Sequence, residues 1–212
     1  MNYENKELCK KCGGMCCKKS GCDYFTSDFS VINKNSIIKA LESGNISIVS
    51  TLDFDTLNNG TKVAIPFLYL RARNKDRDIV DLFSMKKQCS MLKEDGCFYS
   101  LEDRPGGGAN LIPDAEMCKP LLDPVEEMLK WKPYQNLLAK LVKRFTGKSV
   151  DVVLRENVEE TLYEILTEQF DGVSKIEIAD IIGCINELAE CFKEECDRAR
   201  KRAKESKRLK KI

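Results

Sequence analysis

Residues 9–22 read CKKCGGMCCKKSGC and set five thiols, Cys9, Cys12, Cys16, Cys17 and Cys22, within fourteen residues. A thiol ligates a metal only as its thiolate, and closely spaced thiolates repel one another unless a cation neutralises them. This density points to a metal. Cys9 and Cys12 form a C-x-x-C pair whose sulfurs converge on one ion, and Gly13-Gly14 allow a tight backbone turn around it. The adjacent Cys16 and Cys17 point apart and seldom share one tetrahedral centre, which suggests a second metal or a cluster. Free cysteine also packs as a small hydrophobe, but the flanking residues here are lysines, not apolar side chains.

The whole chain limits the chemistry further. Its 212 residues are enough to bury a core as one domain or two small ones. Composition is 42% hydrophobic and 33% charged with a formal net charge of +1, so there is no global attraction to polyanions. Eleven cysteines in a chain with no apolar leader and no long apolar run fit a reducing cytoplasm, where such spacing means metal or thiol chemistry more than disulfides. The expectation is a cytoplasmic protein without a membrane partner. There is no histidine, which removes Ser-His-Asp and Cys-His catalysis, the HExxH zinc motif and mixed Cys/His zinc fingers. Any metal is held by sulfur, supplemented by carboxylate or water.

From Cys22 to Cys89 no other cysteine occurs. Asn33–Ser43 predicts a short helix with Ile37, Ile38 and Leu41 on one face, ended near Gly44. Ile46–Leu52 and Lys62–Arg71 predict an antiparallel hairpin around Asn58-Asn59-Gly60, with Pro66 confined to a sheet edge or a bulge. Asp81–Phe83 predicts a short strand leading to the second thiol group, Cys89, Cys97 and Cys118. Asp95-Gly96 makes a turn just before Cys97, as a chain folding back to an ion requires. Gly106-Gly107-Gly108, with no GK[ST] after it, reads as a flexible turn beside this group and a candidate mouth to the site. Arg104 reads as a partner for Glu102 or Asp103, or as a charge facing the thiolates.

The run CKKCGGMCC, followed by Cys89, by Asp95-Gly96-Cys97-Phe98-Tyr99 and by Glu102-Asp103-Arg104-Pro105, resembles the YkgJ-type cysteine-cluster proteins, a family of zinc- or iron-chelating domains. The resemblance covers about residues 9 to 120. It implies a metal-binding region built from both thiol groups. That family usually carries an RPxxCR pattern, whereas this chain has Gly108-Ala109 where Cys-Arg would fall. Cys22 and Cys118 are the thiols available to substitute.

After Cys118 long amphipathic helices are expected. Asp123 caps one with Pro124 at its first position, and Pro133 breaks it. Tyr134–Phe145 stops at Gly147, and Asn157–Phe170 repeats the pattern through Leu162, Ile165, Leu166 and Phe170. Ser174 and Glu177 form a capping box for a helix reaching Lys207. Its seam of Ile178, Ile182, Ile185, Ala189, Phe192, Cys196, Ala199 and Ala203 calls for another helix, within the chain or from a partner. Cys184, Cys191 and Cys196 read as core residues of this helix. The basic end lacks interleaved aromatics and complements the helix dipole, which weighs against nucleic acid.

The sequence thus predicts an α-rich α+β protein: a cysteine-cluster metal-binding region over 1–120 with a small β-hairpin, packed on a helical region over 121–212. The expected ligands are Cys9, Cys12, Cys16, Cys17, Cys22, Cys89, Cys97 and Cys118, holding zinc, iron or an iron–sulfur cluster in a structural or accessory role. Two other classes remain open: an iron-dependent enzyme or redox protein with an open site by the glycine run, and an interaction module acting through the C-terminal helix.

Overall fold

A computed structural model describes residues 5–12, 22–73, 78–83, 89, 91–93, 96–100, 102–114, 118–167 and 185–209. It is a mixed α+β fold dominated by helix, with one four-stranded sheet. In chain order the elements are α1 (Lys6–Cys12), β1 (Asp23–Tyr24), α2 (Lys34–Glu42), β2 (Ile46–Thr56), β3 (Lys62–Ala72), β4 (Val80–Asp81), β5 (Leu92–Lys93) and β6 (Gly96–Cys97). Then follow α3 (Gly106–Ala109), β7 (Leu111–Ile112), β8 (Lys119–Pro120), α4 (Pro124–Leu129), α5 (Gln135–Thr146), α6 (Val150–Leu166), α7 (Ile185–Cys191) and α8 (Lys193–Leu209). Among the described residues no helix is long and apolar enough to cross a membrane.

Local chemistry accounts for the element ends. Asn33 caps α2 by accepting from the N–H groups of Asn35 and Ser36, while Ser36 accepts from the Asn33 N–H. Ile37 and Leu41, one turn apart on its inner face, are fully buried. The β2–β3 hairpin turns through Gly60 at φ 79°, where only glycine is unstrained, and Gly147 ends α5 at φ 73°. Asp123 caps α4 through the Val125 N–H, with Pro124 at its first position.

The sheet order is β1-β3-β2-β4, with β4 parallel to β2 and the other pairs antiparallel. Because β1 pairs only with Arg71 and Leu70, β3 has an open edge beyond it, and Pro66 stands there opposite Leu52. Gln135 closes part of that edge. Its amide accepts from the Leu68 N–H at 2.9 Å and donates to the Leu68 carbonyl at 2.7 Å, as a neighbouring strand would. Helix α6 holds the exit of β4 in a similar way, with Asn157 accepting from the Leu82 N–H and Thr161 donating to the Phe83 carbonyl.

One core joins the sheet to the helices: Ile37, Leu41, Ile48 and Leu70 pack with Trp131, Leu138, Leu141, Val142, Leu154 and Val158, and with Leu188 and Phe192. It draws on residues from both sides of position 120.

Two expectations for the helical half change. The helix expected from Asn157 begins earlier, at Val150, after the Gly147 stop. The long C-terminal helix breaks at Phe192 into α7 and α8. Ser174, Glu177, Ile178, Ile182, Cys184 and Phe170 lie outside the described residues. Of the seam, Phe192, Cys196, Ala199 and Ala203 are buried and Ala189 is half-buried, and α8 lies along α6 of the same chain. Arginines of the basic end are spent on that contact. Arg198 meets Glu159 at 2.7 Å, Arg202 meets Glu160 at 3.0 Å and stacks over Tyr163, and Arg155 reaches the buried Glu195.

Candidate functional site

Three cysteines from two distant stretches of sequence meet beside the sheet. Cys22 enters β1, Cys89 lies just before β5, and Cys97 closes β6, which pairs with β5 through Leu92↔Cys97. Cys22 and Cys89 are buried in a small cluster of their own with Ala72 and Met91, against which Tyr24, Cys97 and Tyr99 pack. The backbone fixes Cys22 in place, since its carbonyl accepts from the Ala72 N–H at 2.8 Å and its Sγ lies 3.8 Å from the Pro105 carbonyl.

The thiols sense one another. A hydrogen bond with Cys89, then burial, then the charge of Cys89 push the Cys22 thiol far above its ordinary range, with Asp23 and Cys97 adding to the effect. Burial also raises Cys97, opposed by the Tyr99 backbone N–H and by Arg104, which bonds to it. Arg104 therefore faces the thiol group. A second cation stands behind Cys22. Burial opposes the charge of Arg71, but Tyr69, Asp23 and Cys22 together keep it firmly protonated. Arg71 bonds the Asp23 carboxylate and donates to Tyr69 Oη at 2.9 Å. Tyr24 is raised by burial and by its hydrogen bond with Tyr99, at the rim of the same cluster.

The glycine run is not a flexible turn. Gly106–Ala109 forms the single helical turn α3, pressed against β1 and the residues flanking it. A Cβ on Gly106 would lie 2.3 Å from the Phe25 ring, on Gly107 2.8 Å from the Asp23 backbone, and on Gly108 2.7 Å from Cys22 Sγ. Asp28 ties the two segments, accepting from the Phe25 and Gly106 N–H groups. The place expected to be a mouth is filled, at Gly108, by the Cys22 sulfur.

The other expected ligands are placed as follows. Cys9 and Cys12 stand one turn apart on α1, which lies against β6, the strand of Cys97. Of these two cysteines only the backbone is described. Cys16 and Cys17 lie outside the described residues. Cys118 is half-buried at the start of β8. Cys196 is a core residue beneath α6, as expected, and Cys191 packs beside the same core. Among the described residues no group of three or more Cys, Asp or Glu side chains is set to hold a metal ion.

Sequence reasoning left Arg71 and Asp23 out of the site, although Asp23 adjoins Cys22. Their signal was the alternation of β3, which sets Arg71 on the face of Phe67 and Tyr69, opposite Leu70 and Ala72, in a strand apolar enough that a charge there needs a partner.

No family model, curated protein or solved structure matches this chain.

Proposed function

We propose that this chain is a thiolate metalloprotein that binds zinc or iron, with Cys9, Cys12, Cys16, Cys17, Cys22, Cys89, Cys97 and Cys118 as its ligand set. The observation that carries this reading is the convergence of Cys22 and Cys89, 67 residues apart, into buried contact with Cys97 alongside. Buried thiols in contact are poor as a charged pair and need a cation to lose their protons together. The donor set fits such a cation. Two arginines, Arg71 and Arg104, supply positive charge around sulfurs that would be anionic when ligated. The likeness of the two thiol groups to the YkgJ-type proteins supports the same conclusion.

The proposed role is structural. The described members of the proposed ligand set lie on α1, at the start of β1, around the β5–β6 pair and before β8, and these pieces are too short to stand alone. A metal would tie them to one another and, through β1, to the main sheet.

Metal and acid-labile sulfide analysis of protein purified without oxygen or a metal-binding tag tests this, together with a thermal melt before and after chelation. Bound zinc or iron, and a lower Tm on chelation, are expected. Protein that holds no metal, and whose melt is unmoved by added zinc or ferrous iron, would overturn the reading. Bound metal with an unchanged melt on its removal would overturn the structural role alone.

A further inference from the structure

We propose that Cys22 supplies the ligand that position 108 cannot, its sulfur standing in the space that a side chain at 108 would fill; this rests on the thiolate-metal reading above. Gly108 lies inside α3 with helical backbone, so its conformation does not demand glycine. Its surroundings do. A Cβ there would meet Cys22 Sγ at 2.7 Å, closer than real Cβ contacts come, while its next neighbours, Arg104 Cβ at 3.8 Å and Cδ at 3.9 Å, are at ordinary contact distance. Of these neighbours the Cys22 sulfur alone is too close, so a side chain at position 108 requires that sulfur to leave its place.

The two positions reach one point from different segments. Cys22 arrives at the start of β1, and position 108 arrives on α3, which packs across that strand. One carbon–sulfur bond from a Cβ at 108 spans most of the 2.7 Å to the present sulfur. A cysteine at 108 with a small residue at 22 would therefore deliver a thiol to nearly the same place, beside Cys89 and under Arg104. With a side chain at 108 the Cys22 sulfur could not keep its present place, so this one place takes its sulfur from one segment at a time.

Alanine at 22 clears the obstruction and leaves only the ordinary Arg104 contacts, so the exchange is sterically allowed. On metal binding each ligating thiol gives its proton to solvent, and the geometry of the donor set, not the segment it comes from, sets the affinity.

The test compares the full-length protein with Cys22→Ala, Cys22→Ser, and Cys22→Ala/Gly108→Cys. The readouts are affinity for Zn²⁺ by competition with a chelating dye, and the thiolate-to-metal absorption band on loading with Co²⁺ alone. Loss of a partner behind a ligand costs roughly 10–100-fold in affinity, so loss of the ligand itself should cost at least that. Cys22→Ala and Cys22→Ser are both expected to weaken Zn²⁺ binding to that extent and to reduce the Co²⁺ band. The serine variant keeps nearly the parent's size, so a matching loss in both variants points to the missing sulfur instead of a packing defect. The exchange variant should recover both affinity and band. Parent-like affinity and band in Cys22→Ala would overturn the inference while leaving the metal reading intact. An exchange variant that folds, by its circular dichroism, and stays as weak as Cys22→Ala would also overturn it. A parent protein that takes up neither ion would overturn the metal reading itself, and this inference with it.

Discussion

Gly107→Ala is expected to destabilise the protein through the strand that Cys22 enters. The new Cβ would lie 2.8 Å from both the N and the O of Asp23 and 3.3 Å from its Cα. These are backbone atoms, fixed by the Asp23↔Arg71 and Tyr24↔Leu70 pairing and by the Arg71–Asp23 ion pair. They cannot swing aside as the tip of a side chain would, so β1 and α3 must separate. Overpacking of this kind costs about 1–3 kcal/mol, and replacing a helical glycine returns at most about 0.5–1 kcal/mol. The net loss is about 0.5–2 kcal/mol, which at this chain length lowers Tm by roughly 1–8 °C. A melt followed by circular dichroism measures the loss, and alkylation of native protein followed by peptide mapping measures protection of Cys22 and Cys89. Both should fall together. Gly60→Ala is the control, because Gly60 has no atom within 4 Å of a new Cβ and a strained φ of 79°. It should lower Tm without exposing the two cysteines. A Gly107→Ala protein with the parent's Tm and the parent's thiol protection would refute the close α3–β1 packing.

Other consequences are open to direct measurement. Gln135→Leu leaves the N–H and carbonyl of Leu68, itself only 2% exposed, without their partner, and should cost about 2–4 kcal/mol in a urea titration. Burial pushes Glu195 up, but its own backbone N–H, Arg198 and Arg155 outweigh it and hold the carboxylate below the usual range. Its contribution is therefore complete above the unfolded glutamate value of about 4.3 and disappears as pH falls through the lower folded value, so Glu195→Gln should flatten the acid limb of a stability–pH curve. Cys196, whose thiol burial pushes up, should tolerate alanine better than serine, the buried hydroxyl costing about 1–3 kcal/mol in denaturant midpoint, with metal content the same in both. Trp131, the only tryptophan, is fully buried and donates to the Tyr24 carbonyl at 2.9 Å, so chelation of loaded protein should shift its fluorescence to longer wavelength. An unchanged emission would separate the cluster from the core.

Periodicity and capping made most of the scaffold legible. The α2 helix, the β2–β3 hairpin, the Asp123-Pro124 start of α4 and the Gly147 stop of α5 each rest on interactions within a few residues or on one apolar face. What resisted sequence reading depends on distant neighbours. The break at Phe192 interrupts a regular seam, and the pattern carries no mark of it. The glycine run looked flexible because glycine usually confers freedom, whereas here it permits contact: α3 approaches β1 so closely that no Cβ fits. Proximity of Arg71 to the Cys22 thiol likewise comes from strand pairing, since Asp23 lies opposite Arg71 in the register. The thiol spacing named Cys22, Cys89 and Cys97 as candidates. Only the fold brings them together.

The position of β1 explains why a metal in this cluster would act on the whole protein and not on its own corner. A two-residue strand contributes two pairs to a sheet and would fray alone. Here it is held from four sides: Arg71 and Leu70 of β3 pair with it, Ala72 bonds Cys22 at its start, the glycines of α3 cover it, and Trp131 bonds the carbonyl of Tyr24. Two of these contacts, with Leu70 and with Trp131, belong to the main core. Cys22 lies at the one end of β1 that faces the thiols. A ligand that binds only the folded arrangement stabilises it by mass action, in proportion to the logarithm of its excess over Kd. Metal held at Cys22 would anchor β1, and with it the Tyr24–Trp131 bond to the helical half. The same connection runs in reverse: loosening β1, as Gly107→Ala would, also loosens the sulfur that a metal here would need.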